Sequence, residues 1–176
     1  SVFLRQSPDI LWMGHSKGGL RKADLKQKIV KEFNHLPNSP NDIQAIIRDG
    51  DWLWIGASTG LYRFNTLTET FERMFESGSY PDDMLSDFIV DVLLDKNGTI
   101  WFASRIRGGQ QCVVGKFAKG SGKPELFFND PKNKNSFPES RVINSLALDK
   151  KNRIWSAMWW ASSLVSPSRR YWSLSR

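Results

Sequence analysis

Hydrophobic positions along the chain fall in short runs, roughly four to eight residues each, and the runs recur as a set. First comes an apolar run closed by an acidic residue: Ile43-Gln44-Ala45-Ile46-Ile47-Arg48-Asp49, Ile89-Val90-Asp91-Val92-Leu93-Leu94-Asp95 and Val142-Ile143-Asn144-Ser145-Leu146-Ala147-Leu148-Asp149. A tight turn follows, such as Asp95-Lys96-Asn97-Gly98, where Asn-Gly supplies the positive φ a hairpin needs. The next run is centred on tryptophan: Leu11-Trp12-Met13-Gly14, Leu53-Trp54-Ile55-Gly56, Ile100-Trp101-Phe102-Ala103 and Ile154-Trp155-Ser156-Ala157. Beyond a link lies a third run, Gly19–Lys22, Gly60–Asn65 and Cys112–Phe117. A fourth, outer run closes each unit: Ile29–Phe33, Thr70–Phe75, Glu125–Phe128 and Tyr171–Leu174. Runs of this length, rich in β-branched and aromatic residues, predict strands. No stretch of useful length holds a 3.6-residue period, so no helix is predicted.

The tryptophans are 42, 47 and 54 residues apart. A β-patterned repeat in the forties is the period of a four-stranded propeller blade. The chain is therefore expected to be all-β: a β-propeller array of four four-stranded blades, approximately 1–41, 42–86, 87–140 and 141–176. One blade is a small twisted sheet with two apolar faces and needs neighbours on both sides. The repeated Trp is expected between blades, burying about 150–250 Å² each.

Composition narrows the class. The chain has 176 residues, 40% hydrophobic and 24% charged, which is globular rather than disordered. No apolar run approaches the ~18 residues of a membrane helix, so no membrane segment is expected in this piece. The lone Cys112 excludes an internal disulfide framework and a Cys-based zinc cluster. It is expected to serve as a small buried hydrophobe. The chain opens on Ser1-Val2-Phe3-Leu4-Arg5 without a leader, which reads as a mature or excised piece of a longer chain. The net charge of +7 is uneven: residues 1–88 carry 10 Lys/Arg against 12 Asp/Glu, and residues 89–176 carry 15 against 6. The basic residues are scattered singly, so no nucleic-acid partner is expected.

The unit from Ile43 to Phe64, with Leu53-Trp54-Ile55-Gly56, Gly60-Leu61 and Arg63-Phe64, resembles the two-component regulator propeller repeat. The preceding linker Leu36-Pro37-Asn38-Ser39-Pro40-Asn41-Asp42 is similar as well. In the fourth copy Met158–Leu164 stands where the Gly-Leu link would be. The resemblance implies the periplasmic sensor region of bacterial hybrid two-component histidine kinases. Such regions carry propellers of about seven blades, and many respond to oligosaccharides. On this basis the chain is expected to be part of a larger propeller, a non-catalytic ligand-sensing module. An arc of four blades would expose apolar faces at both ends, so self-association or pairing with further blades of a parent chain is expected.

A propeller binds at one mouth, formed by the loops between strands two and three and between blades. Arg105 and Arg107 lie two apart beside Gly108, Gly109 and Gln110, and arginine forks suit carboxylate or sulfate oxygens. Trp159 and Trp160 occupy the equivalent loop of the next blade, and an exposed indole suits the C–H face of a sugar ring. With His15 and Lys17 of the first blade, these are the candidate ligand-binding residues, and an acidic oligosaccharide is the expected partner. The bland alternatives are that Arg107 pairs with a carboxylate, that one of the two Trp packs between blades, and that His15 is a surface histidine. A second function class is an assembly scaffold; a third is a propeller lyase with His15 as base, though no acid/base pair or metal set is evident. No cofactor is expected. Asp49, Asp95 and Asp149 are read as turn residues bonding their own backbone. Asp95-Lys96-Asn97-Gly98 lacks the later ligands of a calcium loop.

Overall fold

The computed structural model describes residues 1–74, 88–105, 112–118, 121–137, 142–159 and 169–174, and for Trp159 and residues 169–174 it describes the backbone. It is all-β, with no helix among the described residues. Blade 1 is a sheet of β1 (Val2–Arg5), β2 (Ile10–His15), β3 (Gly19–Asp24) and β4 (Ile29–Glu32), antiparallel and in chain order. Blade 2 repeats this with β5 (Ile43–Asp49), β6 (Trp52–Ala57), β7 (Gly60–Asn65) and β8 (Thr70–Arg73). Blade 3 consists of β9 (Phe88–Leu94), β10 (Ile100–Arg105), β11 (Cys112–Phe117) and β12 (Glu125–Phe127). Blade 4 has three strands among the described residues: β13 (Val142–Leu148), β14 (Ile154–Trp159) and β15 (Arg169–Leu174).

One expectation is corrected here. The apolar pattern of Tyr171–Leu174 predicts an outer fourth strand, yet it pairs directly with β14 as the third, with Ile154 opposite Leu174 and Trp159 opposite Arg169. The fourth copy lacks a Gly-Leu link after its Trp strand, so nothing short in the sequence marks where its third strand begins.

The core runs between the blades. Trp12, Trp54 and Trp101 are only 1%, 8% and 8% exposed. Trp12 lies with Leu20 and Phe33 against Ile43, Ile46, Leu53, Ile55, Phe64 and Phe71 of blade 2. Trp54 meets Ile89, Val92, Ile100, Phe102 and Phe117 of blade 3. Trp101 meets Ile143, Leu146, Ile154 and Met158 of blade 4, with buried Cys112 in the same cluster. Two residues after each of the first three Trp sits a small residue. A Cβ on Gly14 would come within 2.4 Å of Ile43 Cγ2, and one on Gly56 within 2.8 Å of Ile89 Cγ2. The third such position is Ala103, in one cluster with Ile143. Each joint thus seats the first-strand Ile of the next blade against a residue with little or no side chain.

Candidate ligand edge and inter-blade cleft

Arg105 and Trp159 share one register position, four residues after the Trp of their blades, and His15 lies one position short of it. His15, Arg105 and Trp159 each end the second strand of a blade, as does Ala57 in blade 2. His15 faces Gly19, Arg105 faces Phe88 and Cys112, and Trp159 faces Val142 and Arg169. They therefore line one edge of the array, where innermost strands begin and second strands end. His15 and Lys17 are exposed, Lys17 in the left-handed region at φ 72° within the β2–β3 turn. His15 Nδ1 is hydrogen-bonded to the Ser16 carbonyl at 2.5 Å. Arg107, Gln110 and Trp160 lie outside the described residues, and so does the side chain of Trp159.

Arg105 is already engaged. Its Nε donates to the Ile143 carbonyl at 2.9 Å and its Nη2 to Asn144 Oδ1 at 2.8 Å, while the guanidinium carbon lies 5.8 Å from the Phe88 ring centre. The acceptors belong to a β-bulge. In the innermost strands of blades 2, 3 and 4 the register skips one residue, Gln44, Val90 and Asn144 respectively. An extra residue turns its own side chain out of the ladder, which puts Asn144 within reach of Arg105. One residue beyond the bulge of blade 3, Asp91 makes a second tie: its Oδ2 accepts the Leu146 N–H at 2.7 Å and its Oδ1 the Val92 N–H at 2.9 Å. Burial raises the Asp91 carboxyl above its ordinary 3.8, against the pull of those two N–H groups.

The opposite edge holds the hairpin turns. In Asp95–Thr99 and Asp149–Arg153 the carboxylate caps the turn and then reaches the Trp six residues on. Asp95 Oδ1 accepts N–H bonds from Asn97 and Thr99 at 2.8 and 2.9 Å, and Oδ2 accepts the Trp101 indole N–H at 3.0 Å. Asp149 repeats this with Lys151, Arg153 and Trp155. In blade 1 Gln6 Oε1 takes the role, accepting the Trp12 indole at 2.7 Å. The turn-residue expectation holds for Asp95 and Asp149 and gains a function. Blade 2 uses the shorter Gly50-Asp51 turn, so Asp49 pairs with Trp52 and stands outside the pattern. Burial pushes the Asp95 carboxyl up, but the indole and turn N–H groups win and hold it below its ordinary value. Asp149 is pulled well below the usual carboxylate range, chiefly by the Arg153 N–H, with Trp155, the Arg153 side chain and Lys151 adding to it.

An open cleft of about 710 Å³ lies on this edge between blades 3 and 4. Its blade-3 wall stacks Trp101 on Phe127, ring centres 5.8 Å apart at 21°. Lys116 Nζ sits 5.5 and 5.3 Å from the two rings and pairs with Glu125 at 2.8 Å. Lys151 and Arg153 form part of the other wall. At the two earlier joints an aromatic ring from the next blade's third strand lies on the Trp: Phe64 on Trp12 at 5.6 Å and Phe117 on Trp54 at 5.9 Å. Phe64 pairs with Leu53 and Phe117 with Ile100; the matching partner of Ile154 is Leu174. The cleft therefore marks a joint whose third-strand position carries Leu rather than an aromatic residue. Sequence reasoning missed it, because Leu174 was expected in an outer strand and only the pairing with β14 aligns it with Phe64 and Phe117.

No protein-family model matches the chain, and no curated protein matches it. Among solved structures it is similar to the WD40 β-propeller domain of Doa1, at 14% identity and a TM-score of 0.58, over 86% of this chain and 44% of that one. It is similar to PorZ, a surface component of the type-IX secretion system of Porphyromonas gingivalis, at 15% and 0.60, over 98% and 28%. It is also similar to the GH74 enzyme of Niastella koreensis, at 19% and 0.60, over 86% and 24%. An extracellular domain from B. thetaiotaomicron, described as that of a hybrid two-component system, BT4673, aligns at 13% and 0.49, over 88% and 30%. The chain spans 24% to 44% of the length of these proteins. At such identities the likeness is one of fold: the chain is propeller-like, built of stacked four-stranded blades.

Proposed function

We propose that the chain is a non-catalytic, ligand-sensing propeller segment of a periplasmic two-component regulator. On this reading it recognises an acidic oligosaccharide at the edge that carries His15, Lys17, Arg105 and Trp159, with Arg107, Gln110 and Trp160 in the adjoining loops. The observation that supports it best is that Arg105 and Trp159 hold the same register position in adjacent blades, on the edge where His15 ends the second strand of blade 1. Charge suits carboxylate or sulfate groups, and an indole suits the sugar face between them. The class of regulator follows from the likeness of Ile43–Phe64 to the regulator propeller repeat.

The test is calorimetry with sulfated and uronic-acid oligosaccharides. Binding should weaken as salt rises, and about tenfold or more on Lys17→Ala or Trp159→Ala, a loss of ~1.4 kcal/mol. Arg105→Ala is the less clean probe, because it also releases Ile143 and Asn144 of blade 4. Absence of heat across the panel would overturn the reading. Release of cleaved sugars would replace it with the enzymatic alternative. A second reading, an assembly scaffold, is favoured by one observation: the outer face of blade 1 exposes Phe3 and Val30, at 61% and 56%.

A further inference from the structure

Among the arginines that bond another side chain, Arg105 stands apart. Arg21, Arg63 and Arg153 each meet a carboxylate, of Glu32, Glu72 and Asp149. Arg105 meets none among the described residues. Both of its hydrogen bonds end on neutral oxygens, the Ile143 carbonyl and Asn144 Oδ1. It is half-buried, with the Phe88 ring beside it. Taking a guanidinium part-way out of water costs desolvation, which an ion pair would offset. An aspartate would supply that pair from the same place. Asn144 supplies the hydrogen bond without the charge.

The two earlier joints lack this arrangement. Four residues after the Trp of blades 1, 2 and 3 stand Ser16, Ser58 and Arg105. The bulge residues of the blades that follow them are Gln44, Val90 and Asn144. The Gln44 amide turns back onto Asp42 of its own blade, and Val90 offers no side-chain acceptor. Cation and neutral acceptor thus occur together, between blades 3 and 4. Asn144 is exposed and lies two residues from Val142, the register partner of Trp159.

The bonds already made define what remains. Nε and Nη2 turn hydrogens along one edge of the planar guanidinium, and blade 4 occupies that edge. The Nη1–Nη2 edge keeps two parallel N–H groups, a fork that takes both oxygens of a carboxylate or a sulfate ester. We propose that Asn144 is a positioning residue. From blade 4, it and the Ile143 carbonyl fix Arg105 of blade 3 so that the remaining fork takes one carboxylate or sulfate ester of the ligand. Its neutral amide leaves the guanidinium charge uncancelled for that group. This rests on the reading of the edge as the ligand edge, and it makes the anion site a property of two docked blades.

The experiment compares the wild-type chain with Asn144→Asp and Asn144→Ala. Acetate is followed through the Arg105 Nε–H signal in NMR, against chloride at equal ionic strength. Tri-galacturonate and a sulfated, carboxylate-free trisaccharide are followed by calorimetry. In the wild type, acetate should shift the signal and chloride should not. Asn144→Asp keeps an acceptor in place and adds the missing counter-charge. Its acetate shift should vanish, its sugar affinity should fall about tenfold or more, and its urea midpoint should hold or rise. Asn144→Ala keeps the Ile143 carbonyl and should lose only about threefold. Trisaccharide binding that Asn144→Asp loses supports the proposal, and whichever sugar binds tells carboxylate from sulfate ester. Binding by Asn144→Asp equal to wild type would overturn it and leave the ligand edge standing. An acetate shift at Arg105 with no sugar bound would support it and overturn the oligosaccharide reading. No acetate shift in the wild type, or a lower urea midpoint in Asn144→Asp, would overturn it outright.

Discussion

A single carboxylate does two jobs at Asp95: it ends a turn and it holds an indole. Its acceptor bonds to Asn97, Thr99 and Trp101 favour the charged form. A depressed carboxyl contributes stability that is present above its unfolded pKa and lost as pH falls through the folded value. Asp149 acts in the same sense. Asp95→Asn should cost about 1–3 kcal/mol at pH 7 and progressively less as acid removes the same charge from the wild type. Urea melts at several pH values measure this. Asp91 has the opposite sign. Its raised carboxyl weakens the fold as pH climbs above about 4, so the stability of Asp91→Asn relative to wild type should improve over that interval. A difference that is flat with pH would refute the assignment.

Strand pairing was more legible in the amino-acid order than side-chain chemistry. β5, β7 and β11 coincide with the expected runs, because alternation, Gly links and turn residues agree there about the same boundaries. The last strand went wrong because its apolar pattern suits either a third or an outer strand, and no Gly-Leu link fixed its place. The bulges at Gln44, Val90 and Asn144 carry no turn signal, so the tie from Arg105 to Asn144 could not be read in advance. The Asp-to-Trp spacing of six was visible in blades 3 and 4, and only geometry gave it meaning. The small residue two positions after each of the first three Trp is a second packing requirement beside the Trp itself. Gly56→Val should destabilise by about 1–3 kcal/mol through overpacking on Ile89, whereas Ala103→Gly should cost less, as measured by chemical denaturation.

Stacked arrays spread their stability unevenly, since an inner blade is covered on both sides and an end blade on one. In β6 every residue after Trp52 is buried, whereas every residue of β4 is exposed. Amide exchange should therefore be slowest in β6 and β10 and fastest in β4, and the Arg105 and Asp91 ties should slow β13 beyond what an end blade would otherwise show. Uniform exchange across the four sheets would mean that the blades unfold as one block. The candidate edge was legible in part: the sequence located the second-strand ends, and the structure added that Arg105 is held by the neighbouring blade. A cation fixed in this way offers a ligand a definite orientation with little further loss of freedom.

The pairing of a Trp with a missing or minimal side chain two residues later, set against an isoleucine of the next sheet, has an engineering consequence. Blades 2 and 3 each present the same plug on one side and the same socket on the other. Length is then an adjustable property of such a chain: duplicating residues 42–86 would insert a segment whose plug and socket already match both neighbours, lengthening the arc while leaving each contact in kind unchanged.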